Sequence, residues 1–201
     1  MSARYIVGVT GASGAEYALR FLWQLSFVPG ESDLIVSPNF YKVLESEAAP
    51  ARPANSDLLQ LAAAVHGPLG NEHRFTANDY RDISARAASG SASYRAMVVL
   101  PCSMKTLAAV HAGLSQNLIE RAADVSLKER RTLVLCPRET PLSTVHLRNM
   151  LGLTEAGATI MPIMPGYYHR PVGLVDLYDF MADRIFQHMG ITKRTITPWR
   201  S

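Results

Sequence analysis

Short apolar runs alternate along this chain with segments whose apolar residues recur every three or four positions. The runs at 5–10 (YIVGVT), 33–37 (DLIVS), 96–100 (AMVVL), 132–135 (TLVL) and 159–161 (TIM) have the length of strands. Each is stopped by Gly11, Pro38, Pro101, the Cys136-Pro137 pair or Pro162. Continuous apolar runs of this kind suit strands buried on both faces, as in a parallel sheet. A weaker strand is expected near 72–75. Helical spacing runs through 15–25, with apolar residues at 18, 21, 22 and 25, and through 117–128, where Leu118, Ala122 and Val125 share a stripe. Helices are also expected over 144–153 and 174–189, and up to Val65 after a cap at Asn55 or Ser56. Ser103 and Thr106 open a further helix. Segments 48–55 and 78–94 read as loops. This alternation predicts an α/β fold: a three-layer, doubly wound, Rossmann-like or flavodoxin-like and mostly parallel sheet with helices on both faces. One domain over 1–201 is expected, with 192–201 as a tail.

Composition narrows the function. Of 201 residues, 48% are hydrophobic and only 18% charged, against an average of roughly 25% charged. That excludes disorder, and it implies that part of the surface faces other copies rather than water. A net charge of +3 is too mild to argue for nucleic acid. No run approaches the ~18 apolar residues of a membrane helix, and 5–9 is too short for a signal-peptide core. Two cysteines, Cys102 and Cys136, make neither a disulfide framework nor a four-ligand zinc site. The six histidines show no ligand spacing such as HExxH, and no metal site is expected. The expectation is a cytoplasmic protein with neither nucleic acid nor membrane as partner.

In a parallel sheet, ligands bind outside the carboxyl ends of the strands. Those ends carry Gly11-Ala12-Ser13-Gly14-Ala15, Ser37, Pro101-Cys102-Ser103-Met104-Lys105-Thr106, Cys136-Pro137-Arg138-Glu139 and the stretch from Pro162 to Arg170. Hydroxyls, small residues and cations on one rim suit a phosphorylated ligand. The loop at 11–15 opens a helix, where free N–H groups and the dipole favour an anion; it also reads as a plain strand–helix corner. It matches neither GxGxxG nor GxxxxGK[ST], so the dinucleotide and P-loop fingerprints are missing. Ser103 and Thr106 read equally well as helix caps. Arg121 and Lys128 lie seven apart, on one helical face. That face is either simply solvated or, with Arg138 and Arg184, a second phosphate site. Glu139 is either a salt-bridge partner or a proton-handling acid. Tyr168 and Trp199 are core aromatics or π surfaces beside an electron-poor fragment.

Together these segments resemble the flavin prenyltransferase family, the UbiX-like proteins. The resemblance rests on GASGA at 11–15, Ser37 with Glu47 ten residues on, ASGS at 88–91, PCSMKTL at 101–107 and NLIERAADVSLKERR at 117–131. LVLCPRETPL at 133–142, HLRNM at 146–150, PGYYHRP at 165–171 and Arg184 on the last helix complete it. It implies an FMN-binding fold assembled as a homododecamer. It implies metal-independent transfer of a dimethylallyl group from dimethylallyl monophosphate to N5 and C6 of reduced FMN, with a UbiD-type decarboxylase using the product. By that resemblance Gly11, Ala12, Ser13, Ser37, Ser103, Met104, Lys105, Thr106 and Arg138 hold FMN. Tyr168, Arg184, Arg121 and Lys128 hold the prenyl phosphate. Glu47, Glu139, Lys128, Arg121 and Trp199 are the catalytic candidates.

Some positions depart from the pattern. Pro38 follows Ser37 and offers no N–H, Ala48 and Ala49 replace polar residues, and Ala18 stands where glycine is common. Three other functions compete: an FMN-dependent decarboxylase of cysteinyl substrates, one of aromatic acids, and a non-enzymatic FMN carrier. The carrier needs the FMN rim but no second cationic cluster. Loss of asparagine from PCSMKT, together with Lys105, Arg138 and Glu139, favours phosphate chemistry over a carboxylate clamp.

Overall fold

The computed structural model describes residues 3–47, 57–193 and 195. The expectations placed on 48–55, including Ala48 and Ala49, and on Asn55, Ser56 and Trp199 fall outside them. Six strands, β1 (Arg4–Val9), β2 (Gly30–Val36), β3 (His73–Asn78), β4 (Ala96–Cys102), β5 (Thr132–Pro137) and β6 (Thr159–Ile160), form one sheet. Their order is β3-β2-β1-β4-β5-β6, and every pairing is parallel. This is the doubly wound order, reversing between β1 and β4.

Alternation along each strand divides the core. Tyr5, Val7 and Val9, with Val98, Leu100, Val134 and Cys136, face one side. Helices α1 (Ala15–Leu25), α2 (Pro38–Glu47), α3 (Leu58–His66) and α7 (Leu174–His188) cover that side. Ile6, Ile35, Met97, Val99 and Leu135 face the other side, under α4 (Met104–His111), α5 (Leu118–Lys128), α6 (Thr144–Glu155) and the 3-10 turn Arg86–Ala88. Ser103, Asn117 and Ser143 cap α4, α5 and α6 through side-chain oxygens. The cap of α3 is Asp57, not either of the two residues expected before it.

Two differences from the sequence reading have physical causes. Helix α2 goes unread there because Pro38 looks like a stop. Proline instead suits the first position of a helix, where its missing N–H costs nothing, and Phe40 and Leu44 then bury one face. Strand β2 begins at Gly30 rather than 33, because its polar start is satisfied laterally. Glu31 sits between Arg4 and Arg74, 3.0 Å from the latter. The Ser32 hydroxyl meets His73 Nε2 at 2.8 Å, and His73 Nδ1 meets the Val28 carbonyl at 2.8 Å. Burial pushes this imidazole down, so it stays neutral and bridges strand to loop.

Helices α1 and α7 are clamped by a largely buried ion pair. Arg20 Nη2 donates to Asp179 Oδ2 at 2.9 Å, and Gln24 Nε2 donates to Asp179 Oδ1 at 2.5 Å. Asp179→Ala strands the Arg20 charge without an acceptor. Breaking a buried pair from one side typically costs about 3 kcal/mol or more. The expected outcome is a loss of that size in urea unfolding at fixed protein concentration.

Candidate active site

The carboxyl ends of β1 and β4 are tied together by one hydroxyl. Thr10, only 2% exposed, donates from Oγ1 to the Pro101 carbonyl at 2.9 Å and accepts from the Ser103 amide at 2.7 Å. The two loops then diverge and leave a cleft of about 260 Å³. Gly11, Ala12, Ser13, Ser103, Met104 and Arg138 line it, with Glu47 and Glu139. Eight sequence-selected residues therefore do share one crevice, at the switch point. Val43 and Ser46 of α2 line it too, and the sequence reading missed both. Their signal was the apolar spacing of Phe40, Val43 and Leu44. Thr10 reads in the sequence only as the last residue of an apolar run.

Gly11 is required by close approach. A Cβ there would lie 2.9 Å from the Asn39 carbonyl oxygen and 2.8 Å from Asn39 Cβ, so α2 packs directly on the loop backbone. Ser37, at the end of β2, has a buried hydroxyl with no protein partner. An orphaned buried hydroxyl is costly unless a ligand satisfies it. Arg138 Nε reaches the Ser13 carbonyl at 3.4 Å, which holds the guanidinium over the same loop. The small residues Gly11 to Ser13 and the Arg138 cation, which line the cleft, fit a flavin phosphate, and the unpaired Ser37 hydroxyl lies at the neighbouring strand end without lining it. Ser103 spends its hydroxyl on Thr106, 3.2 Å from the amide and 3.0 Å from Oγ1. Ser103 thus lines the cleft as the cap of α4, while Thr106, expected among the flavin-holding residues, lies inside the helix and does not line the cleft.

The amino end of α1 behaves differently from the reading of a vacant anion site. Glu47 Oε2 accepts from the Gly14 amide at 3.0 Å and the Ala15 amide at 2.9 Å. Burial alone would raise this carboxyl. The Ser13 hydroxyl, those two amides and the Arg138 charge outweigh it and hold Glu47 below its ordinary value. The chain therefore supplies its own anion to the helix dipole.

Lys105 is also placed otherwise than expected. Its ammonium pairs with Glu120 Oε1 at 3.0 Å, and that bond raises its pKa. Glu120 is fully buried and also accepts from the Gln116 amide at 3.0 Å. Lys105 thus satisfies a buried carboxylate between α4 and α5 and does not line the cleft. Burial pushes the Cys102 thiol up to about 12 and raises Cys136 as well, so neither is a thiolate.

The remaining cations do not converge within one chain. Lys128 closes α5, four residues before β5 begins, and lies at the amino edge of the sheet. Arg138 directly follows β5, at the carboxyl edge, roughly 20 Å away by strand rise. Arg121 is on the first turns of α5, 2.9 Å from Asp124. Arg184 is on α7, across the sheet, with Gln187 at 2.7 Å. Tyr168 stands exposed in the loop after β6, edge-on to Phe180 at 5.6 Å.

The Flavoprotein family model matches residues 1–181. The chain is 44% identical to flavin prenyltransferase UbiX of Pseudomonas aeruginosa over 198 residues, which are 98% of this chain and 93% of that protein. A crystal structure of AnUbiX (PadA1) in complex with FMN and dimethylallyl pyrophosphate shares 36% identity and a TM-score of 0.82 over 100% of both chains. A dodecameric FMN-dependent UbiX-like decarboxylase from Escherichia coli O157:H7 shares 36% identity and a TM-score of 0.84. That match covers 98% of this chain and all of the other.

Glu47 generates a pH prediction. Its folded value is depressed, so its stabilisation is complete above the ordinary value of 4.5. It is lost as pH falls through the lower folded value. In flavin-free protein the melting temperature should drop more steeply below about pH 4.5 for wild type than for Glu47→Gln. Gly11→Ala, tested by fluorescence titration, should weaken FMN binding by pushing α2 off the loop.

Proposed function

The chain belongs to the flavin prenyltransferase family, and we propose that it transfers a dimethylallyl group from dimethylallyl monophosphate to N5 and C6 of reduced FMN. The observation that carries this reading is that Arg138 and Glu139 line the same switch-point cleft as the cradle for a flavin phosphate. A non-enzymatic carrier needs the cradle but gains nothing from an acid at its lip. The AnUbiX structure holds FMN together with dimethylallyl pyrophosphate, which supports a dimethylallyl donor. The monophosphate is the finer proposal: the sequence lacks the DDxxD motif that recruits magnesium to a diphosphate.

Reduced FMN, when bound, supplies the nucleophilic N5 and C6. The chain's residues do the rest. Gly11, Ala12, Ser13, Ser37, Ser103 and Met104 bind and orient the flavin. Arg138 steadies negative charge at the cleft. Glu139 Oε1 already accepts from the Thr140 amide at 3.0 Å. That bond fixes the carboxylate and would leave Oε2 to carry a proton between the bound flavin and the departing phosphate. Arg121, Lys128, Tyr168 and Arg184 grip that phosphate and stabilise charge growing as the C–O bond breaks.

Those four residues are divided by the sheet, so the site closes only where copies meet. The surface supports this. Helix α6 buries only Leu153 and exposes Val145, Leu147 and Leu151. Met164, Tyr167, Val172 and Leu174 add exposed apolar area, Val172 at 99%. A homododecamer is the proposed assembly, in line with the dodecameric Escherichia coli neighbour, and a UbiD-type decarboxylase is the proposed user of the product.

Incubation with reduced FMN and dimethylallyl monophosphate, without oxygen and with EDTA present, should add one prenyl unit to the flavin mass; an unchanged flavin mass refutes the activity. Lys128→Ala or Arg184→Ala alone should each slow the reaction by roughly 10²–10³-fold while retaining FMN. Chains carrying the two changes, co-assembled in equal amounts, should recover roughly a quarter of wild-type activity by random mixing of shared sites. No recovery would place both residues in one chain's site.

A further inference from the structure

The segment ASGS at 88–91 has no part in the cleft. It lies at the amino edge of the sheet, against the end of α5. A Cβ on Gly90 would stand 2.5 Å from Glu129 Oε1 and 2.9 Å from Lys128 Nζ. The backbone of this turn therefore rests on the Lys128–Glu129 pair, whose own separation is 2.5 Å. Ser89 and Ser91 close the turn with a hydroxyl contact of 2.9 Å.

Arg131 holds the turn there. Its amide donates to the Ser126 carbonyl at 2.8 Å, which fixes the residue to the last turn of α5. Its Nη2 donates to the Gly90 carbonyl. Its Nη1 is buried without a partner. A guanidinium that leaves one N–H face dry and unpaired is a poor choice for stability alone. Its geometry instead spans the two elements that frame Lys128.

We propose that Arg131 is a positioning residue for the prenyl phosphate: it clamps the 89–91 turn onto the end of α5 and so fixes the direction in which Lys128 presents its ammonium. This rests on the reading that Lys128 grips that phosphate. Without the clamp, Lys128 swings on a four-carbon stem and loses the pre-organisation on which a point charge depends for affinity.

The test uses the FMN-loaded assembly and steady-state kinetics with dimethylallyl monophosphate. Arg131→Ala should raise KM about tenfold, the effect of losing one charge-assisted hydrogen bond, and lower kcat by less than Lys128→Ala does, since Lys128 also acts in the transition state, with FMN affinity and assembly size close to wild type. Arg131→Lys, which keeps a donor for Gly90, should recover most of the affinity. In a Lys128→Ala background the same Arg131→Ala change should leave KM unaltered, because the residue acts through Lys128. A wild-type KM in Arg131→Ala overturns the proposal, as does a full tenfold effect in the Lys128→Ala background. If Arg131→Ala fails to assemble, Arg131→Met carries the test, because it keeps the side-chain stem and removes the donor to the Gly90 carbonyl. The same rise in KM supports the proposal, and no rise overturns it. A wild-type KM in Lys128→Ala alone marks failure of the Lys128 reading itself, whatever Arg131 does.

Discussion

A parallel sheet buried on both faces keeps the groups on its two sides apart, and in this chain that separation governs where chemistry can be assembled. Helix α5 packs on one side and α7 on the other. Cations carried by the two helices cannot meet around the edge of a six-stranded sheet. The carboxyl edge is the one place where loops from both sides come together, and there the strand order reverses and the loops part. The Thr10 hydroxyl holds the parting strands at a set distance. The cleft follows from topology, and the proposed phosphate clasp requires assembly.

Electrostatics tell the same story at three points. The donors at the start of α1 are met by Glu47. The ammonium of Lys128 is met by Glu129, and that of Lys105 by Glu120. Only the last of these carboxylates is fully buried. A buried carboxylate needs its partner permanently, so Lys105 is structural. An exposed pair contributes little to stability and exchanges readily for a better anion. By this reasoning the exposed Lys128–Glu129 pair is loosely held, while the Lys105–Glu120 pair is part of the packing between α4 and α5.

The strands and most helices were legible because burial on both faces writes itself into local composition. Continuous apolar runs located β1, β4 and β5, and the 3.6 period located α1 with the bounds observed. Legibility failed where polar groups are satisfied by distant partners. Glu31, Ser32 and His73 hide the start of β2 and most of β3 from any hydrophobic pattern. Pro38 hid α2, and with it Val43 and Ser46 in the cleft wall.

The sequence by itself determined the fold class, the strand ends on which ligand-binding loops sit, and the residues Gly11 to Ser13, Ser103, Met104, Arg138 and Glu139 that share the cleft. Each follows from local chain direction, since a parallel strand delivers its next residues to one known edge. Only the tertiary structure decided which charges are spent. It paired Lys105 with Glu120, gave the α1 amides to Glu47, and set Lys128 and Arg184 on opposite sides of the sheet. Those outcomes depend on distances between residues far apart in sequence, and helical spacing carries no information about what lies across a buried sheet.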